Sequence, residues 1–187
     1  NADNALTVLG MLLALEVPLA DAVAALAQVR PPPGRMETFG GGAQPLAIVD
    51  YAHTPDALRA ALEAVRQHCR GRIHLVFGCG GDRDAGKRPL MGAVAAAGAD
   101  AIWLTDDNPR GEAPAAIVAD IRRGMPAGSQ GEVEHDRARA IRRALAAARA
   151  GDAVLIAGKG HEDYQIYGAE RRAFSDRAIV RAALGGS

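Results

Sequence analysis

Residues 78–88 read Gly-Cys-Gly-Gly-Asp-Arg-Asp-Ala-Gly-Lys-Arg, "GCGGDRDAGKR". An apolar run, "RIHLVFG", precedes them, and a helix-like run from Arg88 to Gly98 follows. Gly81 to Lys87 spells G-x-x-x-x-G-K, close to a phosphate-binding P-loop, but position 88 is Arg where that loop places Ser or Thr on magnesium. Asp82 and Asp84 would repel phosphate, and Arg83 stands where the dinucleotide fingerprint G-x-G-x-x-G needs its last glycine. The stretch therefore reads as a strand-to-helix turn that does not cradle a nucleotide phosphate. Arg83 can grip a carboxylate through two parallel hydrogen bonds, or form a local ion pair with Asp82.

The pattern on either side repeats this strand-to-helix unit. "METFGGGAQPLAIVD" reads as a hairpin ending in a strand at 46–50, followed by a helix with Thr54 as N-cap and Pro55 in its first turn. Leu58, Leu62, Val65 and Cys69 line that helix's apolar face. "AIWLT" predicts a third strand, Pro114 to Arg123 a helix, "GEVEH" a short strand, and Asp136 a cap on an Ala/Arg helix running to Ala150. "DAVLIAG" predicts a buried strand, "RRAFSD" an antiparallel edge strand, and Ser175 the cap of a last helix. Alternating strands and helices imply an α/β, Rossmann-like, mainly parallel sheet with helices on both faces and an antiparallel edge strand or hairpin.

Composition agrees with a globular domain: of 187 residues, 49% are hydrophobic and 24% charged, so a core can form from aliphatics. A formal net charge of zero argues against a general nucleic-acid binder, and no apolar run is long enough to span a membrane. Two cysteines, read as a helix-core residue (Cys69) and a small turn residue (Cys79), suit a reducing cytoplasm and offer no metal-ligand spacing. The opening, "NADNALTVLGMLLALEV", lacks an initiator Met. It carries an apolar stripe (Ala5, Leu6, Leu9, Leu12, Leu13, Leu15), and "LADAVAALAQV" continues as a second short helix. Residues 1–32 are expected to be the helical tail of a preceding domain, joined through "RPPPGR" to a domain at 33–187. The other reading is a helical hairpin packed on that same domain.

In such sheets ligands bind beyond the carboxyl ends of the strands. Four predicted strand ends carry charged or Gly-rich loops: "DYAHTPD", "GCGGDRDAGKR", "DDNPRGE" and "GKGHEDYQ". Together, as "DYAHTPDAL", "GCGGDRDAGKRPLM", "TDDNPRGE" and "AGKGHEDYQ", they resemble the C-terminal domain of the Mur ligases, in particular the MurE group. "NADNAL" and "PGRME" resemble the end of that family's central ATPase domain and the junction after it. The resemblance implies an ATP-dependent ligase that adds meso-diaminopimelate to UDP-MurNAc-L-Ala-D-Glu in peptidoglycan synthesis. ATP and Mg2+ would be held mainly by a central domain outside this chain. It further implies that Arg83, Asp107, Asn108, Pro109, Arg110, Gly158 and Glu162 bind the amino acid, with Arg83 and Arg110 on carboxylates and Pro109 stiffening the turn. Asn4, Arg35, Asp50 and His53 would lie on the ATP side, although His53 equally suits a plain helix entry. No catalytic residue or metal ligand is expected in the chain. His53 and His161 lack a nucleophile partner, while His68, His74 and His135 read as structural or surface residues. Lys159 reads either as facing the ligand or as solvated.

Overall fold

The computed structural model describes residues 2–29, 32–129 and 131–185. The chain divides into two compact units, residues 1–32 and 33–187. The first holds α1 (Ala2–Ala14) and α2 (Leu19–Ala27). Ala22 is buried in it, but Leu6, Met11, Leu15, Leu19, Val23 and Val29 are each at least half exposed. Two short helices offer each other too little surface to cover such a stripe.

The second unit begins with a hairpin, β1 (Glu37–Gly40) and β2 (Leu46–Asp50). It continues through α3 (Pro55–His68), β3 (Ile73–Phe77), α4 (Lys87–Gly98), β4 (Ala101–Leu104), α5 (Pro114–Arg122) and β5 (Glu132–Val133). α6 (Arg137–Ala147), β6 (Ala153–Ala157), β7 (Tyr164–Tyr167), β8 (Glu170–Ala173) and α7 (Asp176–Ala183) complete it. Helix starts follow local chemistry. Thr54 Oγ1, Asp136 Oδ1 and Ser175 Oγ each accept the backbone N–H three residues on, satisfying a donor the helix cannot.

Six strands form one sheet in the order β1-β2-β6-β3-β4-β5, parallel except for β1. Every residue of β3 and β6 is buried, as expected when helices cover both faces. Leu58, Leu62 and Val65 of α3, Met91 and Val94 of α4, and Ile117 and Ile121 of α5 pack with Ile48, Leu75, Phe77, Leu104 and Leu155 on one face. On the other, Ile141 and Leu145 of α6 and Val180 of α7 pack with Val49, Val76, Trp103, Val154 and Ile156. Each large side chain so buried contributes roughly 1.5–3 kcal/mol.

The antiparallel edge of this sheet is β1. The segment "RRAFSD", expected as an antiparallel edge strand, contributes residues 171–173 to β8, which pairs antiparallel with β7 in a separate two-stranded sheet. α6 ends at Ala147 rather than Ala150. Asp152 Oδ2 accepts the Arg149 N–H, and Gly151 takes a left-handed φ of 89°, so the chain turns early into β6. Among the described residues no helix is long and apolar enough to cross a membrane.

His74 sits within β3, 3% exposed, with Asp152 Oδ2 3.8 Å away, too far for a hydrogen bond. Burial holds its imidazole below the ordinary value, against the pull of Asp152. The unfolded chain therefore takes up this proton first as pH falls, and stability is lost as pH drops through about 6.5 toward the folded value. Urea midpoints measured from about pH 7.5 to about pH 5 should decline, and His74→Leu should flatten that decline. An unchanged slope would mean that His74 does not contribute.

Candidate functional site

The glycines of the opening stretch let two loops lie backbone on backbone. A Cβ on Gly78 would fall 2.0 Å from Thr105 O, and one on Gly81 would fall 1.8 Å from Pro109 O. Gly81 N donates to Asn108 O at 2.9 Å, so the turn after β3 is sewn to the turn after β4. The two cations that close the P-loop-like sequence, Lys87 and Arg88, are already engaged. Lys87 Nζ donates to His53 O at 2.8 Å. Arg88 is 1% exposed and donates to both Glu112 oxygens (2.7 and 2.8 Å), to Asp120 Oδ2 (2.9 Å) and to Gly80 O (3.2 Å). Glu112 also accepts the Asp82 N–H. The Arg88 guanidinium, aided by that N–H, lowers the Glu112 carboxyl to about 2.

The loop after β4 is splinted by the β7–β8 hairpin. Gln165 Nε2 donates to the carbonyls of Asp106 and Asp107, both at 3.1 Å. Ile166 N donates to Asn108 Oδ1 (3.0 Å), Arg110 N to Ile166 O (3.0 Å), and Gly168 N to Arg110 O (2.7 Å). Asp106 lies between Tyr167 Oη, which donates to Oδ2 at 3.0 Å, and His135 Nδ1, 2.7 Å from Oδ1. These bonds hold Arg110 at φ 52°, a left-handed conformation costly for a side chain with a Cβ.

Arg110 Nη1 donates to Gly81 O at 2.9 Å; among the described residues Nε and Nη2 make no hydrogen bond. Arg83 is exposed on the rim, its Nη1 bonded to the Asp82 carbonyl at 3.0 Å. The alternative Asp82–Arg83 ion pair is not formed, and Asp82 Oδ2 instead accepts Gly111 N. Both arginines border Gly80: a Cβ there would lie 2.9 Å from Arg110 Nη1 and 3.7 Å from Arg83 Cγ.

The loop after β6 meets the same place. Gly158, at φ 118°, donates its N–H to Asp50 O (3.1 Å), and a Cβ on it would lie 2.7 Å from Asp107 Oδ2. Glu162 Oε2 accepts Asn108 Nδ2 at 3.1 Å. Lys159 is neither solvated nor exposed to a ligand: it is 0% exposed and bonded among Asp107, Asn108 and Glu162. Asp107, Asn108, Gly158 and Glu162 thus converge, with Pro109 and Arg110 continuing the same loop toward Arg83.

Of the expected ATP-side residues, one lies in the first unit and three in the second. Asn4 is exposed on α1 of the first unit. Asp50 is buried, Oδ2 accepting Met36 N and Oδ1 accepting Ala52 N, each at 2.8 Å. Arg35 and His53 meet around Tyr51: the guanidinium lies 4.8 Å from the ring centre, His53 stands edge-on at 4.5 Å, and His161 lies at 5.3 Å. The sequence reading missed Tyr51; an aromatic between Asp50 and His53 in a strand-end loop was the available signal. It also missed Gln165, whose partners lie more than fifty residues away, and it left Lys159 open between a ligand-facing and a solvated side chain. A concavity of about 500 Å3 lies between α3 and α4, away from the rim loops, lined by Leu62, Val94 and Ala97 together with the charged Arg59, Glu63 and Arg66.

Because the Gly81–Pro109 approach is backbone against backbone, no rotamer can relieve Gly81→Ala. That variant should lose roughly 1–3 kcal/mol in urea unfolding while Gly42→Ala, whose Cβ would meet nothing, loses less despite its φ of 67°. Equal stability of the two variants would show that the loops can part.

Comparison with known proteins bears on the same loops. Residues 34–160 match the family described as "Mur ligase, glutamate ligase domain". The chain is 53% identical over 184 residues to a UDP-N-acetylmuramoyl-L-alanyl-D-glutamate–2,6-diaminopimelate ligase of Ectopseudomonas mendocina (strain ymp), covering 98% of this chain and 38% of the relative. It is 57% identical over 187 residues to the ligase of the same name from Acidovorax sp. (strain JS42), covering 98% and 37%. A solved structure of a ligase of that name superposes with a TM-score of 0.77 at 43% identity, covering 94% of this chain and 36% of that one. The chain thus spans less than two-fifths of the length of the curated relatives it matches. The sheet order, the four rim loops and these likenesses agree, and the chain belongs to the Mur ligase family, of which it carries the glutamate ligase domain.

Proposed function

We propose that this chain is the amino-acid-binding C-terminal domain of an ATP-dependent ligase that joins meso-diaminopimelate to UDP-MurNAc-L-Ala-D-Glu, working in the cytoplasm in peptidoglycan synthesis. The observation that carries this reading is the pairing on one rim of two guanidinium groups, Arg83 and Arg110, with the Asp107–Asn108–Glu162 cluster. Such a set complements a zwitterion. Carboxylates of the free amino acid pair with Arg83 and Arg110, an ammonium meets Asp107 and Glu162, and Asn108 and the Gly158 backbone fix its orientation. Pro109 keeps the Asn108–Arg110 turn rigid.

When bound, ATP supplies the phosphoryl group that activates the carboxylate of the nucleotide-peptide. The amine of diaminopimelate then attacks the acyl phosphate, forming the amide and releasing phosphate. This domain needs no nucleophile of its own; it delivers the amine in line and excludes water. Neither His53 nor His161 is given an acid–base role. Arg35, Asp50 and His53, and Asn4 from residues 1–32, are the residues proposed to face ATP. The exposed apolar stripe of α1 and α2 fits their being the tail of the central ATPase domain. Among the described residues no three His, Cys, Asp or Glu side chains converge to hold a metal ion. In this reading Mg2+ binds with the nucleotide, held mainly by the central domain.

Two measurements test the proposal. The isolated chain, given ATP, Mg2+, the UDP-dipeptide and diaminopimelate, should yield neither tripeptide nor ADP; turnover by the pure fragment would refute the division of labour. In the full-length enzyme, Arg110→Ala should lower kcat/KM for diaminopimelate about 10- to 150-fold, the value of a charge-assisted bond. Lysine, which has no distal carboxylate, should lose much less, and Arg110→Lys should rescue only in part. Equal losses for both amino acids would make Arg110 structural.

A further inference from the structure

Lys159 is wholly buried, and its ammonium meets Asn108 Oδ1 at 3.0 Å, Glu162 Oε2 at 3.2 Å and Asp107 Oδ1 at 3.4 Å, with the Tyr164 ring centre 5.5 Å away. We propose that Lys159 is a positioning and charge-setting residue of the amino-acid site. Its ammonium locks Asp107, Asn108 and Glu162 into one constellation and leaves that constellation one net negative charge, matched to a single substrate ammonium. The inference rests on the reading of this rim as the amino-acid site and goes beyond it, because Lys159 acts through its neighbours.

An ammonium has three N–H donors and no acceptor, and three acceptors surround this one, so no donor is left for a ligand. The orientation of the Asn108 amide follows. Its Oδ1 accepts from Lys159 Nζ and from Ile166 N, which turns Nδ2 toward Glu162 Oε2 at 3.1 Å. Remove the lysine and the amide loses one of the two donors that hold it. Asp107 and Glu162 then lose the ammonium between them and keep nearby only the cation of Arg137, which is already paired with Asp176. With Lys159 present, two carboxylates and one ammonium sum to a single negative charge. Left-handed glycines flank the lysine, Gly158 at φ 118° and Gly160 at φ 53°, and this turn directs the side chain inward.

The test uses the full-length ligase containing this chain, with steady-state kinetics in ATP, UDP-dipeptide and diaminopimelate, and a thermal melt to establish folding. Lys159→Met keeps the length and removes the charge; it should raise KM for diaminopimelate at least about tenfold and leave KM for ATP essentially unchanged. Lys159→Gln, which keeps a donor, should fall between wild type and Lys159→Met, and serves alone if the Met variant does not fold. A folded variant with unchanged diaminopimelate KM would overturn the proposal, as would equal rises in KM for diaminopimelate and ATP, or failure of both variants to fold. Wild-type enzyme that adds no diaminopimelate would instead sink the functional reading, and this inference with it. Wild-type activity beside an unaffected Lys159→Met would sink the Lys159 inference alone.

Discussion

Burying a cation costs several kcal/mol unless carboxylates or carbonyls replace its water, and this domain buries Arg88, Arg137 and Lys159 at the carboxyl ends of its sheet or in the helices that leave them. Each is met by partners from distant segments. Arg88 gathers the turns after β3 and β4 and the last turn of α5 through Gly80, Glu112 and Asp120. Arg137 joins α6 to α7 through both oxygens of Asp176, each at 2.8 Å, and to the end of β6 through Ala157 O. Lys159 joins the loop after β6 to the loop after β4. Such pairs contribute little net stability compared with well-packed apolar side chains. They do fix geometry, because every loop that leaves its place strands a charge.

The rim is therefore organised before any ligand arrives. The loop after β4 is held from three directions: by the glycine turn below it, by Lys159 beside it and by β7, whose backbone and Gln165 side chain bond loop positions 106, 107, 108 and 110. Preorganisation of this kind suits the proposed amino-acid site, where holding an amine at one angle would supply most of the contribution to the rate. It also explains a left-handed Arg110: the hydrogen bonds to Ile166 and Gly168 offset the strain.

Much of the fold was legible in the chain. The capping residues Thr54, Asp136 and Ser175 begin the helices they were expected to begin, because a cap is a contact across three residues. The buried strands 46–50, 73–77 and 153–157 announced themselves as apolar runs between turn residues. β7 did not. "YQIY" has no apolar alternation of its own, and it is a strand because β8 and the Asp106–Arg110 loop bond it on either side. The candidate site was legible to the extent that its residues sit in odd loops after obvious strands. Lys159 was not, since neighbours at 107 and 108 decide whether a lysine between two glycines is solvated or buried.

By itself the sequence determined where most strands and helices start, that helices cover both faces of the sheet, and that four unusual loops share one edge. All of these follow from local capping, periodicity and the handedness of parallel crossovers. Only the tertiary structure decided what the resembling P-loop is for. Its glycines serve a backbone contact with residues 105 and 109, and its last arginine serves carboxylates at 112 and 120. The reason is physical: steric contact and charge pairing are short-ranged in space, and the sequence alone carries no distances between residues brought together by a fold.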